Sequence, residues 1–185
     1  MSSAPAKQAA TGLLGARALL VATCALSLML FLPDASGARA LTETCPATPT
    51  LDAMVHALDA AVSGPGTKDW TCMKQLFLPD ARLVPLVVAQ DGTATPNPVT
   101  VDQYIDRAKG RGAQSIQETQ LSYKYELYGH VAQVFSTYEI TLSGKLVSRG
   151  INSIQAIFDG KQWKVIEIVW DKETPENPIP KKYLP

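Results

Sequence analysis

A two-strand hairpin signal near the C-terminus constrains the fold of this chain more than any other feature. Residues 149–158 (RGINSIQAIF) and 162–170 (QWKVIEIVW) are rich in β-branched and aromatic residues, and Asp159-Gly160-Lys161 separates them. Asp-Gly between two such runs is a strong hairpin signal, because glycine tolerates the positive φ that tight turns require. The sequence therefore predicts a pair of antiparallel strands close to the C-terminus.

Two longer strands precede this hairpin. Residues 115–127 and 130–142 alternate apolar and polar side chains, which indicates that each strand has one buried face and one wet face. Residues 82–88 add a shorter aliphatic run, in which Pro85 predicts an edge or bulged strand. The faces predicted to be buried carry Leu121, Tyr123, Tyr125, Leu127, Ala132, Val134, Tyr138 and Ile140.

Three helical patterns lie before the long strands. The first begins at Thr50 or Asp52, has apolar residues at spacings of three and four, and ends at residues 63–66 (SGPG). The second covers residues 70–77 and the third covers residues 100–109. Helices followed by a run of antiparallel strands predict an α+β domain, with the helices on one side of a curved sheet.

The first forty residues have the pattern of a secretory signal peptide. Lys7 and Arg17 precede an unbroken apolar run over residues 18–32, and residues 38–40 (ARA) form a small-x-small cleavage site. The apolar run is shorter than the ~20 residues that span a bilayer, so a retained membrane anchor is the weaker alternative. We therefore expect cleavage near Ala40, export to the periplasm or the medium, and no stable membrane span afterwards.

Two cysteines, Cys45 and Cys72, remain after such a cleavage. An oxidising compartment favours a disulfide between them, which would tie the start of the mature chain to the second helix. A pair of buried free thiols is the alternative.

The overall charge and the spacing of the metal-binding residue types exclude several functional classes. Seventeen acidic and seventeen basic residues cancel, so nothing indicates nucleic-acid binding. His56 and His130 are the only histidines, and they lack the spacing of a zinc site. Gly110-Arg111-Gly112 lacks the third glycine and the following helix of a dinucleotide-binding loop. We predict neither a metal nor a cofactor.

Several motifs, taken in order, resemble the nuclear transport factor 2-like (NTF2-like) superfamily. These are the helix that ends at Gly64 and is followed by Asp69-Trp70, the segment LFLPDAR at residues 76–82, and the closing Asp-Gly-x-x-Trp-x-Val of the hairpin. This superfamily includes SnoaL-like cyclases and ketosteroid isomerases. The segments GHVAQVFSTYE, RGINSIQ and NPIP further resemble an exported bacterial subgroup of undefined function.

The resemblance implies a cone-shaped fold, in which a curved, mostly antiparallel sheet wraps around three N-terminal helices. The implied organisation is a signal peptide over residues 1–40, an extended lead-in over 41–50, the NTF2-like domain over 51–173 and a proline-rich tail over 174–185. It also implies a homodimer through the convex face of the sheet.

In this superfamily the sheet encloses a hydrophobic cavity that holds small apolar molecules. We expect the lining to include Tyr104, Tyr123, Tyr125, Tyr138, Asn152 and Trp170. The alternative is that these side chains are ordinary core residues that contact no ligand.

The residues of a ketosteroid isomerase are not found at the matching positions. Residues 83–86 (LVPL) carry no carboxylate, the first helix carries no tyrosine, and residues 148–158 offer Asn152 and Gln155 but no acid. We therefore expect a carboxylate-poor lining and no ketosteroid-isomerase chemistry.

Two functional hypotheses follow. The first is a non-catalytic exported domain that binds a small apolar ligand or serves as an interaction module. The second is an isomerase, cyclase or dehydratase with a different set of residues, for which His56, His130 and Glu167 are the weak catalytic candidates.

Overall fold

The computed structural model describes residues 44–185. The predicted signal peptide and the first residues of the lead-in lie outside the described residues. Within the described part, no helix has the length and apolar character needed to cross a bilayer.

Within residues 44–185, three helices and eight strands form the domain. The helices are α1 (Leu51–Val62), α2 (Thr71–Leu76) and α3 (Val101–Lys109), and a short 3-10 helix covers Lys181–Tyr183. The strands are β1 (Gly64–Pro65), β2 (Phe77–Val88), β3 (Ala94–Pro96), β4 (Val99–Thr100), β5 (Ser115–Tyr128), β6 (Val131–Leu142), β7 (Lys145–Phe158) and β8 (Trp163–Lys172).

The strands form one curved, unclosed sheet in the order β1-β5-β6-β7-β8-β2-β3, and β4 also pairs with β2. Every pair is antiparallel except β2–β8, which is parallel. The register of β2 shifts between Phe77 and Arg82, as expected for a bulged strand. The predicted α+β class and mostly antiparallel sheet are confirmed.

Side-chain caps begin two of the helices. Thr50 accepts a hydrogen bond from the Ala53 N–H at 3.1 Å at the start of α1. Thr100 and Gln103 form a capping box at the start of α3, in which each side chain bonds the backbone of the other residue. These local signals explain why both helices begin where the sequence predicts.

One face of the sheet, which we call the inner face, packs against the helices. The core between them contains the fully buried side chains of Met54, Val55, Met73, Ile105, Val134, Ile154 and Val165. Burial of an aliphatic side chain of this size contributes about 1.5–3 kcal/mol to stability. The inner face is therefore the side on which a cavity can form.

A β-bulge in β5 changes the predicted alternation. Leu121 has no partner in β6, because Gln120 pairs with Tyr138 and Ser122 pairs with Thr137. As a result, Glu118 and Gln120 point to the inner face before the bulge, and odd-numbered residues do so after it. The strand then runs beyond the helices, so Tyr125 is 44% exposed and Leu127 is 53% exposed. The prediction that these two side chains are buried is wrong.

The predicted disulfide is confirmed. Cys45 and Cys72 are bonded, with their Cα atoms 5.1 Å apart, so the alternative of free thiols is wrong. Thr48 lies next to β8, where its carbonyl accepts from the Trp163 N–H and its hydroxyl donates to the Trp163 carbonyl, both at 2.8 Å. The lead-in is therefore fixed at both α2 and the sheet.

The C-terminal tail packs on the opposite face of the sheet, which we call the outer face. The Tyr183 carbonyl accepts hydrogen bonds from the hydroxyls of Ser122 and Thr137, the second at 2.7 Å. The Tyr183 ring lies 5.0 Å from the ring of Phe135. The tail thus covers part of the surface on which the resemblance places a homodimer interface.

Candidate functional site

A cavity of about 110 Å³ lies between the helices and the inner face. Its walls are largely apolar, and a smaller set of polar side chains converges on it. The apolar walls are formed by Leu58, Val62, Met73, Phe77, Leu83, Ile140, Ile154, Ile168 and Trp170. The polar groups belong to Asp59, Tyr104, Glu118, Gln120, Tyr138 and Asn152. We call this space the inner cavity.

Asp59 reaches the inner cavity from α1. It lies on the same helical stripe as Val55 and Val62, at spacings of four and three residues, and this stripe faces the sheet. Its Oδ2 accepts a hydrogen bond from the Gln120 N–H at 3.2 Å. Burial raises the pKa of Asp59 to about 6, and the Gln120 N–H and the charge of His56 oppose this rise.

Glu118 reaches the same cavity from β5. The Ser63 hydroxyl, at the end of α1, accepts from the Glu118 N–H at 2.9 Å and holds this part of the strand against the helix. Burial is the main cause that raises the pKa of Glu118 to about 8, and repulsion from Asp59 adds to it. The polar side chain of Asn152, which lines the same cavity, favours the carboxylate and acts in the opposite direction.

Two tyrosine hydroxyls accompany the carboxyl groups. Burial raises the pKa of both Tyr104 and Tyr138 to about 12, so both hydroxyls keep their protons at neutral pH. Tyr138 is only 2% exposed, and its ring lies over Gly150. A Cβ at Gly150 would lie 2.7 Å from the Tyr138 Oη, so glycine is required for this close approach.

The inward residues of neighbouring strands complete the polar side of the cavity. Gln120 of β5 lies opposite Tyr138 of β6, and Asn152 of β7 lies opposite Trp170 of β8. The Gln120 Nε2 donates to the Thr137 carbonyl at 2.8 Å and to the Ser136 hydroxyl. Because these side chains belong to a hydrogen-bonded sheet, their positions relative to one another are well defined.

The structure brings four of the six predicted lining residues to the inner cavity: Tyr104, Tyr138, Asn152 and Trp170. The other two lie elsewhere. Tyr123 donates a hydrogen bond to Asp52 at 2.8 Å near the start of α1. Tyr125 lies on the exposed end of β5. Neither lines the cavity, because Tyr123 packs beside the start of α1 and Tyr125 lies where β5 continues past the helices.

The expectation of a carboxylate-poor lining is wrong, because Asp59 and Glu118 both line the cavity. Asp59 could have been found from its position on the apolar stripe of the first helix. Glu118 could not have been found in this way. If alternation along the strand is uninterrupted and Tyr123 points inward, Glu118 is assigned to the solvent-exposed face. The bulge at Leu121 is what turns it inward.

The three weak catalytic candidates lie outside the inner cavity. His56 is exposed and lies edge-on to Tyr123, with the ring centroids 6.4 Å apart. His130 is exposed and stacks on Phe158. Glu167 lies on the outer face, where its Oε1 pairs with the Arg82 Nη2 at 2.9 Å.

Within residues 44–185, no group of three or more histidine, cysteine, aspartate or glutamate side chains lies close enough together to hold a metal ion.

A second pocket of about 180 Å³ adjoins the inner cavity, and we call it the outer pocket. Tyr104 and Trp170 line both spaces, and they therefore form the boundary between them. The remaining lining of the outer pocket consists of Pro85, Val99, Arg107, Ala108 and Arg111.

Comparison with solved structures shows the fold of the chain. A protein of unknown function from Mycobacterium tuberculosis matches with a TM-score of 0.53 and 16% identity, covering 69% of this chain and 72% of that chain. A protein assigned as the beta subunit of an aromatic-ring-hydroxylating dioxygenase from Novosphingobium aromaticivorans matches with a TM-score of 0.51 and 11% identity, covering 66% of this chain and 86% of that chain.

A protein of unknown function described as NTF-2 like, from Silicibacter pomeroyi, has a TM-score of 0.46 and 17% identity and covers 66% of this chain and 92% of that chain. No protein-family model and no curated protein matches the chain. The chain has the three helices and the curved, mostly antiparallel sheet that the sequence motifs predict, and at these identities the likeness to the solved structures is one of fold alone.

Proposed function

We propose that the protein is an acid–base enzyme that moves protons on a small, mostly apolar molecule held in the inner cavity. One observation carries this proposal: Asp59 and Glu118 line the same apolar cavity with pKa values raised to about 6 and about 8. At neutral pH the first is mainly a carboxylate and the second is mainly a carboxylic acid. A pair of carboxyl groups with separated pKa values supplies a base and an acid at the same pH.

The reaction class that suits this pair is proton transfer at a carbon next to a carbonyl group. The Asp59 carboxylate removes the proton from that carbon, the electron pair of the broken C–H bond forms a C=C bond to the carbonyl carbon, and the π pair of the carbonyl group moves onto its oxygen. The Glu118 O–H donates a hydrogen bond to this oxygen as its negative charge develops. Where the substrate also has a C=C bond between its β- and γ-carbons, return of the proton from Asp59 to the γ-carbon moves that double bond into conjugation with the carbonyl group and yields an isomer, so no further reactant is needed.

The tyrosines and Asn152 have supporting roles in this reaction. The protonated hydroxyls of Tyr104 and Tyr138 are additional donors for the oxygen, and both line the cavity. The Asn152 side chain lines the cavity with Glu118 and favours the ionised form of its carboxyl group. We expect these groups to bind and position the substrate, while Asp59 and Glu118 handle the proton.

The size of the cavity limits the substrate. Pockets for drug-sized ligands have volumes of about 300–1,000 Å³. The inner cavity measures about 110 Å³ and the adjoining outer pocket about 180 Å³. The substrate is therefore a small molecule, whose reacting part fits among the apolar walls near Asp59 and Glu118.

Export is part of the proposal. The signal-peptide pattern of residues 1–40 supports it. The disulfide between Cys45 and Cys72 also supports it, since such bonds persist in oxidising compartments. Fractionation of the producing cells, followed by N-terminal sequencing, tests it, and recovery of the uncleaved chain from the cytoplasm would contradict it.

The second candidate function is binding of a small apolar ligand without turnover. The apolar majority of the cavity walls favours it. Native mass spectrometry of the protein from its own source, combined with extraction of the bound molecule, would identify such a ligand. Its recovery chemically unchanged after incubation would favour binding over catalysis.

The test of the acid–base proposal begins with the two carboxyl groups. Carbon-detected NMR titration should show Asp59 and Glu118 titrating well above the ordinary values of 3.8 and 4.5. An ordinary pKa for Glu118 would leave it ionised at neutral pH and remove the acid, and the proposal would fail.

The second step measures hydrogen exchange at carbon. Small ketones such as cyclopentanone are incubated in D₂O, and the loss of the α-hydrogen signals is followed by NMR. We expect the protein to accelerate exchange and the Asp59→Asn variant to abolish the acceleration. Asp52→Asn is the matched control, because Asp52 is on the same helix but bonds Tyr123 outside the cavity.

A further inference from the structure

Arg111 lines the outer pocket, and two nitrogens of its guanidinium group are buried without a hydrogen-bond partner among the described residues. The Nε and Nη2 atoms of Arg111 are buried, and among residues 44–185 neither has an acceptor within hydrogen-bond distance. A buried donor that lacks an acceptor destabilises a protein, and a charged donor does so more strongly than a neutral one. Such a group therefore calls for an explanation in terms of function.

The side chain of Arg111 packs against the ring of Trp70. Arg111 follows α3 directly, and its N–H donates to the Ala108 carbonyl at 3.1 Å. Its guanidinium lies over the ring of Trp70, 5.8 Å from the centroid, which is within the range of a cation–π contact. The Trp70 Nε1 in turn donates to the Gly66 carbonyl at 3.0 Å and fixes the ring.

The charge around this guanidinium is positive. Arg107 and Arg111 line the outer pocket, and none of its other lining residues is acidic. Lys68 also contacts Trp70, with its Nζ 4.5 Å from the ring centroid. Burial lowers the pKa of Lys68, and the positive charge of Arg111 lowers it further. The outer pocket therefore attracts an anion.

We infer that Arg111 recognises a carboxylate on the ligand, which lies in the outer pocket while the apolar part of the ligand enters the inner cavity. Nε and Nη2 lie on the same edge of the guanidinium group. Their two N–H groups match the two oxygens of a carboxylate in a bidentate pair, which is the preferred geometry for arginine. Both donors are closed off from solvent in the unliganded protein, so the guanidinium turns toward the outer pocket when a carboxylate satisfies both of them at once.

The inference deepens the proposed function and rests on it. Because Tyr104 and Trp170 line both spaces, a ligand held by its carboxylate at Arg111 extends past these two rings. Its apolar part then lies on the side of Asp59 and Glu118. Arg111 is a binding residue in this arrangement, and it orients the substrate without taking part in the proton transfer.

The test compares acids with neutral molecules of the same shape. The probes are benzoate, phenylacetate and 3-phenylpropanoate, each paired with its primary amide, and the dissociation constants are measured by NMR titration at neutral pH. We expect at least one acid to bind the wild-type protein about tenfold or more tightly than its amide, as a charge-assisted hydrogen-bonded pair requires.

Two variants assign this preference to Arg111. Arg111→Met should weaken binding of the acid to the level of the amide, while the amide binds as before and so shows that the fold is intact. Lys109→Gln is the matched control. It removes one positive charge from the exposed end of α3 without changing the pocket lining, and the preference for the acid should persist.

The outcomes separate the inference from the proposed function. Equal binding of acid and amide in the wild-type protein, or a preference for the acid that survives Arg111→Met, overturns the carboxylate site alone. The neutral amide then still reports ligand binding in the inner cavity. Failure of all six probes to bind overturns both the carboxylate site and the proposal that the cavity holds small molecules of this kind.

Discussion

The Asp59 carboxylate raises the pKa of Glu118, although one residue lies on the first helix and the other on a strand of the facing sheet. The two groups therefore titrate as a pair, and the charge of one depends on the charge of the other. Both line an apolar cavity, where little water screens their interaction. This coupling gives the site a measurable property that does not depend on knowing the substrate.

Replacing Asp59 by asparagine should lower the pKa of Glu118. The substitution removes the neighbouring negative charge, so ionisation of Glu118 becomes easier. The pKa should nevertheless stay above the ordinary value of 4.5, because burial is the larger cause of its rise and is unchanged. Carbon-detected NMR titration of the glutamate carboxyl groups measures the change.

Asp52→Asn serves as the control for this measurement. Asp52 lies on the same helix but bonds the Tyr123 hydroxyl, so its removal should leave the titration of Glu118 unchanged. A Glu118 titration that is identical in wild-type protein and Asp59→Asn would show that the two carboxyl groups do not interact.

The stability of the protein should fall as the pH rises from about 4.5 to about 8. Glu118 has a pKa of about 8 in the folded protein and near 4.5 in the unfolded chain. Between these values the folded protein binds more protons than the unfolded chain, so the free energy of unfolding decreases with pH. Urea denaturation at a series of pH values measures this slope.

Glu118→Gln removes the titrating group and should make that slope shallower. The difference in unfolding free energy between the two ends of the interval should shrink by an amount on the order of 1–3 kcal/mol. Asp59 remains in this variant, and it still contributes a slope between pH 3.8 and about 6. An unchanged slope above pH 6 would mean that Glu118 is already ionised in the folded protein.

The sequence predicts the architecture better than it predicts the site. Caps, apolar stripes and the Asp-Gly turn are local signals, and they place the helices and the closing hairpin correctly. Asp59 follows the same kind of signal, since it lies between Val55 and Val62 on the stripe of α1 that faces the sheet. A comparison with the catalytic positions of ketosteroid isomerases does not identify Asp59, because in that comparison the expected residue on the first helix is a tyrosine.

The local sequence pattern cannot predict that the Glu118 side chain points to the inner face. Its inward orientation depends on the unpaired Leu121, and a β-bulge is defined by the partner strand as much as by the bulged one. The exposure of Tyr125 was missed for a related reason. Alternation along a strand shows which side chains share a face, but it does not show where the helices that cover this face end. In the sequence Arg111 stands out only as part of a glycine motif, and its buried guanidinium depends on contacts with Trp70, which is distant in the chain.

Loss of the disulfide should destabilise the folded protein substantially. Cys45 and Cys72 lie 27 residues apart, and a loop of this length corresponds to roughly 3–4 kcal/mol in the chain-entropy description. The double variant Cys45→Ser with Cys72→Ser should show this loss in urea denaturation. Dithiothreitol should lower the stability of the wild-type protein by a similar amount and leave the double variant unchanged. Equal stability of the oxidised protein and the double variant would contradict the prediction.

Removal of residues 181–185 should destabilise the domain and expose the outer face. The deletion takes away the Tyr183 carbonyl, which accepts from Ser122 and Thr137, and the ring that packs on Phe135. Thr137 is only 1% exposed in the complete chain, so a covered part of the sheet becomes accessible. Lost hydrogen bonds and a lost aromatic contact together correspond to about 1–3 kcal/mol of unfolding free energy.

Urea denaturation measures the loss of stability, and sedimentation measures whether the shortened chain self-associates. Lys181→Ala is the control, since Lys181 is exposed and the substitution leaves Tyr183 in place. We expect the shortened chain to associate more strongly than the complete chain, because the newly exposed Phe135 and its neighbours form an apolar surface on a sheet. A shortened chain with the stability and mass of the complete one would show that the tail does not cover the sheet in solution.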